Sequence, residues 1–386
     1  MARRADVTER LRRIAATDEA GELIAALDDP SPEVARCAIR RLTGIEGHRA
    51  ADALRARLLS ADLSLSAEIA IALRRIGDEC AVDIAIAGLR DRLYTRRLAA
   101  ARALGGLREL RAVNPLRAAL ADEIAGVRMA VLGALGEIGP GAGADAGDDC
   151  ARLLSDRDPH VRIAAVRAIA RLGLAAGTRF VSAVCDADPM VRLEVARHLS
   201  GLPENAARTL LADPDVRVRE AAAHAAGKEH LDELAHLLIQ DPSSDVRHAA
   251  AITLGDLDDR RALDALLAAV EDQDAIVRMA ALRALVQLLT EAGAAGRLCR
   301  ELRSVRPERR RAAVYALAHL HVLAAAGDVS RLVDDPDHDV RRAVLQTVDE
   351  LMRDPVAVVR HLTSDNDPEI RNAAEIWLLR RMRRAT

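Results

Sequence analysis

Aromatic residues are nearly absent from this chain. Tyr94, Phe180, Tyr315 and Trp377 are the only rings among 386 residues, although 50% of the sequence is apolar, with Ala, Leu and Val dominant. A thick globular core normally uses large rings to fill its volume. The composition therefore favours thin helices that pack at close range.

Other scarce features exclude whole classes of protein. The five cysteines form no CxxC pair, and their odd number favours free thiols in a reducing compartment. No stretch approaches the ~18 apolar residues of a membrane span, and the N-terminus lacks a signal-peptide run. The 59 acidic and 56 basic residues argue against a dedicated nucleic-acid binder. We predict a cytoplasmic protein with no membrane span.

One pattern returns along the chain, and DRDPHVRIAAVRAI at residues 156–169 shows it clearly. With Val161 as position 0, the pattern has Asp at −5 and −3, Arg at +1, small residues at +3 and +4, Ala at +7 and an aliphatic residue at +8. Successive copies lie 27 to 34 residues apart, with position 0 at Val34, Leu65, Arg96, Val127, Val161, Val191, Val218, Val246, Val277, Arg309, Val340 and Ile370. A period in this range is typical of a solenoid.

Each copy predicts two helices. Positions 0, +4, +7, +8 and +11 fall on one face of an amphipathic helix. This second helix is expected to begin at an Asp that caps it, followed by Pro in the first turn. The Asp-Pro pair is seen, for example, at Asp158, Asp188, Asp213, Asp241 and Asp367. A shorter first helix lies between them, as in Arg261 to Asp272.

The motif D-x-D-x-x-V-R-x-x-A-A-x-x-A-L, nearly complete at 156–169 and 272–285, resembles HEAT-like repeats. It is most similar to the short bacterial kind that is also found in phycobilisome lyases. The resemblance implies an all-α fold, a right-handed α-solenoid of about twelve helix-pair repeats whose second helices line the concave face. It implies little about activity, because members of this family do unrelated things.

We predict a single solenoid over residues 1–386. Residues 1–19 form an N-terminal cap, 20–138 hold repeats one to four, and 148–386 hold repeats five to twelve with a C-terminal cap. The Gly-rich stretch GPGAGADAG at 139–147 separates the two blocks. We interpret it as a flexible loop and a candidate hinge.

Arginine recurs at +1 in step with the turn aspartates. A basic ladder for phosphates is one interpretation, but a phosphate stripe would not need the matching acids. We favour a structural ladder in which each Arg pairs with a turn Asp of its own or an adjacent repeat. Its predicted members are Asp158, Arg162, Asp188, Arg192, Asp215, Arg219, Asp274, Arg278, Asp337, Arg341, Asp367 and Arg371.

Position +2 lies opposite the core face and carries four consecutive apolar residues, Leu98, Met129, Ile163 and Leu193. Position +6 adds arginines beside them, at Arg102, Arg167, Arg197 and Arg283. An apolar stripe flanked by arginine suits an amphipathic partner helix with acidic residues. The alternative is that tight curvature buries position +2 against the neighbouring repeat.

No catalytic or metal motif is present. The sequence contains no HExxH, GxxxxGK[ST], GxGxxG or GxSxG. The histidines of HLDELAH, His230 and His236, are six residues apart and are expected on a solvated helix. We therefore predict no catalytic residue, no metal site and no cofactor.

These observations favour a non-catalytic scaffold or adaptor that holds a protein partner on the concave face. The alternative is a HEAT-repeat enzyme or enzyme subunit, either bilin lyase-like or similar to a DNA-repair glycosylase. Both of those activities would want aromatic rings at a cleft, and we expect no nucleic-acid partner. Visible absorbance on purification, or a salt-dependent shift of DNA, would favour the enzyme.

Overall fold

The computed structural model describes residues 2–44, 48–59, 65–173, 176–289 and 294–385, and all regular secondary structure in these ranges is helical. The all-α solenoid prediction is confirmed. The chain divides into two compact units, Met1–Ala206 and Ala207–Thr386. Each unit is a stack of helix pairs, as the repeat pattern predicts.

The first unit contains thirteen described α-helices: α1 Ala2–Ala16, α2 Ala20–Ala25, α3 Pro32–Leu42, α4 His48–Arg57, α5 Ser66–Arg75, α6 Cys80–Gly88, α7 Tyr94–Leu107, α8 Val113–Ala119, α9 Ala125–Ile138, α10 Ala144–Arg152, α11 Pro159–Leu172, α12 Ala176–Arg179 and α13 Pro189–Ala196. Short 3-10 helices precede or extend several of them, at Ala26–Asp28, Leu110–Ala112, Gly139–Ala142, Leu153–Ser155 and Val181–Ala183. Helix α14, Glu204–Leu211, contains the boundary between the units.

The second unit continues with α15 Val216–Ala225, α16 Leu231–Gln240, α17 Ser244–Asp256, α18 Leu263–Ala269, α19 Ala275–Leu289, α20 Ala294–Glu301, α21 Pro307–His319, α22 Ala326–Ser330, α23 His338–Leu351, α24 Val356–Leu362 and α25 Pro368–Ala385. Its 3-10 helices are Lys228–His230, Arg260–Ala262, Leu323–Ala325 and Arg331–Asp334.

The second helices pack side by side within each unit. Helices α5, α7, α9, α11 and α13 form one row, and α15, α17, α19, α21, α23 and α25 form another. In α11 the predicted core face is buried, with Val161, Ala165, Ile169 and Leu172 fully inaccessible to solvent. The repeated aliphatic and alanine positions therefore form the layer between neighbouring second helices.

The predicted helix starts are correct at Asp158 and Asp188. Each carboxylate accepts a hydrogen bond from the backbone N–H two residues on, over 2.8 Å, and a proline occupies the first helical turn. At Asp213 and Asp241 the helix begins later, after Asp215 and Ser243. In those two turns the Asp-Pro pair precedes the cap.

The stretch 139–147 is not the loop that its glycines predict. Gly139–Ala142 forms a 3-10 helix, and α10 begins at Ala144. Gly139 and Gly143 have φ of 73° and 83°, a backbone conformation that glycine adopts without strain. Ala142 and Ala146 are buried, so these residues belong to the packed structure. The boundary between the compact units falls elsewhere, at Ala206 and Ala207.

Candidate functional site

Two adjoining cavities open along the row of second helices in the first unit, and we call them together the α7–α11 groove. The first has a volume of about 630 Å³ and is lined by Ala67, Ile71, Leu98, Arg102, Gly105, Gly106, Arg108, Gly126, Met129, Ala130, Gly133, Ala134, Glu137 and Arg171. The second, of about 530 Å³, is lined by Met129, Leu132, Gly133, Gly136, Pro159, His160, Ile163, Ala164, Arg167, Ala168, Arg171, Asp188 and Met190. Because Met129, Gly133 and Arg171 belong to both, the groove is continuous across α9.

The predicted apolar stripe is only partly accessible. Met129 is 37% exposed and stands where the two cavities meet, and Ile163 is half-buried in the second. Leu98 and Leu193 are only 8% and 9% exposed, although Leu98 still lines the first cavity. The stripe is therefore accessible at its centre, at Met129 and Ile163. Leu98 and Leu193 are instead buried against neighbouring residues, as the alternative interpretation expected.

Glycines shape the floor of the groove. A Cβ on Gly105 would lie 3.0 Å from the Cα atom of Ala134, so the missing side chain lets α7 approach α9 closely. A Cβ on Gly133 would meet no atom within 4 Å, so this glycine faces open space. Glycine inside a helix costs stability. The glycines inside these helices were therefore a signal of the groove in the sequence, but the repeat pattern does not include them.

Substitution of two glycines tests this geometry. Gly133→Ala should raise the free energy of unfolding by about 0.5–1 kcal/mol, because alanine is the better helix former and its Cβ has room. Gly255→Ala in α17 should lower it by about 1–3 kcal/mol, because its Cβ would stand 2.7 Å from that of Ala284. Urea denaturation followed by circular dichroism measures both changes. A destabilised Gly133→Ala chain would contradict the open floor.

Arginines surround the groove, and two glutamates hold four of them. Arg108 and Arg171 share Glu137, over 3.2 and 2.8 Å. Arg167 and Arg197 share Glu194, over 2.9 and 3.1 Å.

The arginine rim therefore consists of Arg102, Arg108, Arg167 and Arg171, which line the cavities, together with Arg197, which is joined to Arg167 through Glu194. Arg108 and Arg171 share one carboxylate, and Arg167 and Arg197 share another, so these four arginines carry more charge than the two glutamates that hold them. The rim therefore carries an excess of positive charge.

Glu194 is the buried centre of this charge cluster. Burial acts to raise its pKa, but His198, whose Nε2 lies 3.8 Å away, and the hydrogen bond from Arg167 outweigh burial and lower the pKa to about 2. Glu194 therefore stays ionised and fixes the positions of Arg167 and Arg197. It occupies position +3, where the pattern expects a small residue, so the departure from the pattern marked a residue that the sequence analysis missed.

The remaining predicted partner-binding residues lie apart from the cavities. Leu193 lies within α13 and Arg197 directly follows that helix, and neither residue lines a cavity. Arg283 lies in α19 of the second unit. His230 is buried at 3% exposure, so the prediction of a solvated position is wrong for this histidine. A separate cavity of about 740 Å³ in the second unit is lined largely by Asp256, Asp258 and Asp259.

The Arg ladder exists, but its carboxylates are not the predicted ones. Arg162 donates from Nε and Nη2 to the two oxygens of Asp186 in the next repeat, over 2.7 and 2.8 Å, and from Nη1 to the carbonyl oxygen of Asp156, over 2.9 Å. We call each such two-bond pair a rung. The described rungs are Arg97–Asp122, Arg128–Asp156, Arg162–Asp186, Arg219–Asp241, Arg247–Asp272, Arg310–Asp335 and Arg341–Asp365.

The aspartates at −3, which the sequence analysis paired with the arginines, cap helices instead. Each accepts a hydrogen bond from the backbone N–H two residues on, and the set is Asp158, Asp188, Asp215, Asp274, Asp337 and Asp367. The aspartate at −5 bonds the backbone N–H of its own turn and also receives the preceding arginine, as Asp186 does with Asp188 and Arg162. Arg192, Arg278 and Arg371 donate from Nη1 to the carbonyl at −5 of their own turn.

Both units contain sequence that matches a known repeat family. Residues 82–149 and 231–318 match the family model for HEAT repeats, one segment in each unit. These two segments of the chain therefore contain HEAT repeats. No curated protein sequence matches it. In the described part of the chain, no helix is long and apolar enough to cross a membrane.

The solved structures of importin beta and Kap95p have a similar fold. A crystal structure of importin beta shares 13% identity and a TM-score of 0.55, covering 96% of this chain and 64% of that one. Kap95p, in a structure of its binding to RanGDP, shares 12% identity and a TM-score of 0.54, covering 95% and 60%. An engineered protein shares 20% identity and a TM-score of 0.33, covering 93% and 97%. The chain thus spans about three fifths of the length of importin beta and Kap95p, and at these identities only the fold is shared.

Proposed function

We propose that this HEAT-repeat protein is a non-catalytic scaffold or adaptor that holds a protein partner in the α7–α11 groove. The observation that carries the proposal is the continuous groove with an apolar floor at Leu98, Met129 and Ile163. Most of the described residues that line it are apolar or glycine, so the lining offers a contact surface. Kap95p, which has the same fold, binds RanGDP.

The lining indicates the chemistry of the partner. An amphipathic helix places its apolar side chains into such a groove at intervals of three and four residues. The arginine rim favours acidic side chains at the edges of that helix, because Glu137 and Glu194 balance only part of its charge. We therefore infer that the partner presents an amphipathic helix with an apolar face and acidic flanks.

We also propose a reducing compartment, the cytoplasm, for this protein. All five cysteines are free thiols. Cys150 is fully buried, and burial raises the pKa of its thiol to about 12, so it is protonated at neutral pH. Free thiols persist where glutathione and thioredoxin keep them reduced.

A matched pair of charge substitutions tests the groove. Met129→Glu places a carboxylate in the centre of the apolar floor, and we expect it to weaken partner binding at least about 100-fold, the usual loss at a central interface residue. Met279→Glu is the control, because Met279 occupies the same repeat position in α19 of the second unit and is 53% exposed. Affinity purification from the native host, read by quantitative mass spectrometry, compares both variants with the unmodified chain.

The supporting result is a set of proteins recovered by the unmodified chain and by Met279→Glu but lost with Met129→Glu, while circular dichroism shows that all three are folded. Equal recovery by Met129→Glu and Met279→Glu would refute the groove as the binding surface. Loss of the recovered proteins with Met279→Glu alone would place the partner-binding surface in the second unit instead.

A further inference from the structure

One position of the ladder, at Arg278, lacks its aspartate. Nη1 of Arg278 donates to the carbonyl oxygens of Asp272 and Gln273, over 2.7 and 3.1 Å. The corresponding bonds of Arg310, to Ser304 and Val305, are 2.8 and 3.2 Å long. The guanidinium of Arg278 is therefore held by its own turn in the same way as the guanidinium of an arginine that is paired with aspartate, which we call a closed rung. Within the described ranges, no carboxylate bonds its Nε or Nη2.

The residue at the aspartate position of the next turn is Ser304. Its hydroxyl accepts the backbone N–H of Arg306 over 3.3 Å, as the carboxylate of Asp335 accepts the N–H of Asp337 over 3.0 Å. Ser304 thus keeps the bond that closes its own turn. It supplies no negative charge to Arg278.

In the same turn, an arginine also occupies the position where other repeats have the capping aspartate at −3. The residue before α21 is Arg306, and its side chain makes no bond to the start of the helix, whereas Asp337 caps α23 through two backbone N–H groups. Arg303, just before the turn, has a largely exposed side chain that pairs with Asp328 over 3.6 Å. Cations and a helix N-terminus thus surround a position where the sister repeats place a carboxylate.

We propose that Arg278, together with the Ser304 turn, binds a phosphate-class oxyanion. The closed rungs show what this fork accepts: two oxygens of one group, 2.6 to 3.1 Å from Nε and Nη2. The charge of Arg306 adds to that of Arg278 and favours a dianion over a single carboxylate. The site lies in the second unit and does not depend on the proposed role of the α7–α11 groove.

Hydrogen exchange of the full chain, read by mass spectrometry, tests the site with inorganic phosphate as the probe. Sodium chloride holds the ionic strength constant, and acetate serves as a carboxylate comparison. We expect phosphate at several times its dissociation constant to slow exchange about threefold or more in the turns at 272–278 and 303–309. Arg278→Gln should lose this response. Arg360→Gln, which removes an exposed arginine of α24 in the same unit, should retain it.

Ser304→Asp supplies the missing carboxylate within the chain. We expect it to slow exchange in both turns without phosphate and to remove any further response, which keeps the proposal testable if Arg278→Gln does not fold. A full phosphate response in Ser304→Asp or in a folded Arg278→Gln would overturn the site. An equal effect of chloride or of acetate would overturn its selectivity for phosphate.

Discussion

Arg247→Met should lower the free energy of unfolding by about 3 kcal/mol, whereas Arg278→Met should lower it by less than about 1 kcal/mol. Both arginines occupy position +1 in adjacent repeats and bond the carbonyl oxygen at −5 of their own turn, over 2.9 and 2.7 Å. They differ in what they face. Arg247 bonds Asp272 through Nε and Nη2, over 2.7 and 2.8 Å, and both side chains are buried.

The large loss of stability in Arg247→Met comes from the carboxylate of Asp272, which would lose its arginine partner. Without Arg247, Asp272 keeps only the backbone N–H of Asp274 as a described donor, and an uncompensated buried charge is costly. Arg278→Met leaves no such charge, because Ser304 is neutral. Chemical denaturation in phosphate-free buffer compares the two variants, with hydrogen exchange to locate the change in a repeat array. Equal losses at the two positions would show that the rungs contribute nothing beyond their carbonyl bonds.

Acidification from pH 6 to pH 3 should lower the free energy of unfolding by several kcal/mol, because ladder carboxylates have lowered pKa values in the folded chain. Burial acts to raise the pKa of Asp122, Asp156 and Asp272, but the arginine of each rung and a backbone N–H outweigh burial and lower it. For Asp365 the bond from Arg341 is the largest cause of the lowered pKa. A lowered folded pKa means that the stabilisation is present above the unfolded pKa and is lost as pH falls through the folded value.

Glu194 gives this pH dependence a site-specific test. Its pKa falls from 4.5 to about 2, so its contribution should disappear between those two pH values. We expect Glu194→Gln to destabilise the chain at pH 6 and to match the unmodified chain near pH 2 if both remain folded enough to measure. Denaturation curves over this pH range provide the check. A difference that stays constant with pH would mean that Glu194 acts through packing rather than charge.

The helix pairs and their core were predictable because the residues that form them recur with a helical period. Val161, Ala165 and Ile169 share one face by spacing alone, and that face is buried. Asp158 and Asp188 were recognisable as caps because capping depends on residues within the same turn. Local chemistry of this kind can be seen in a single stretch of sequence.

Contacts between repeats were harder to predict. The aspartates at −3 and −5 look alike in the sequence, and only the packing of neighbouring turns selects the one at −5 as the partner of arginine. The apolar stripe was predicted, but not which of its members are accessible or how glycines shape the groove, because Gly105 and Gly133 differ in what the next helix places opposite them. Residues 139–147 form helix because Ala142 and Ala146 pack against the core, which outweighs their glycine-rich neighbours.

The aspartate at −5 has a consequence for how such a chain can change its length. Asp186 satisfies its own turn through Asp188 and the preceding repeat through Arg162, while Arg192 is already held by a carbonyl of the Asp186 turn. A repeat that is duplicated in tandem would thus carry both the aspartate at −5, which bonds the preceding repeat, and the arginine at +1, which bonds the following one. Whole repeats can therefore be added or lost while the polar contact between neighbouring turns remains an Arg–Asp pair. Ser304 is the position where one such pair lacks its carboxylate.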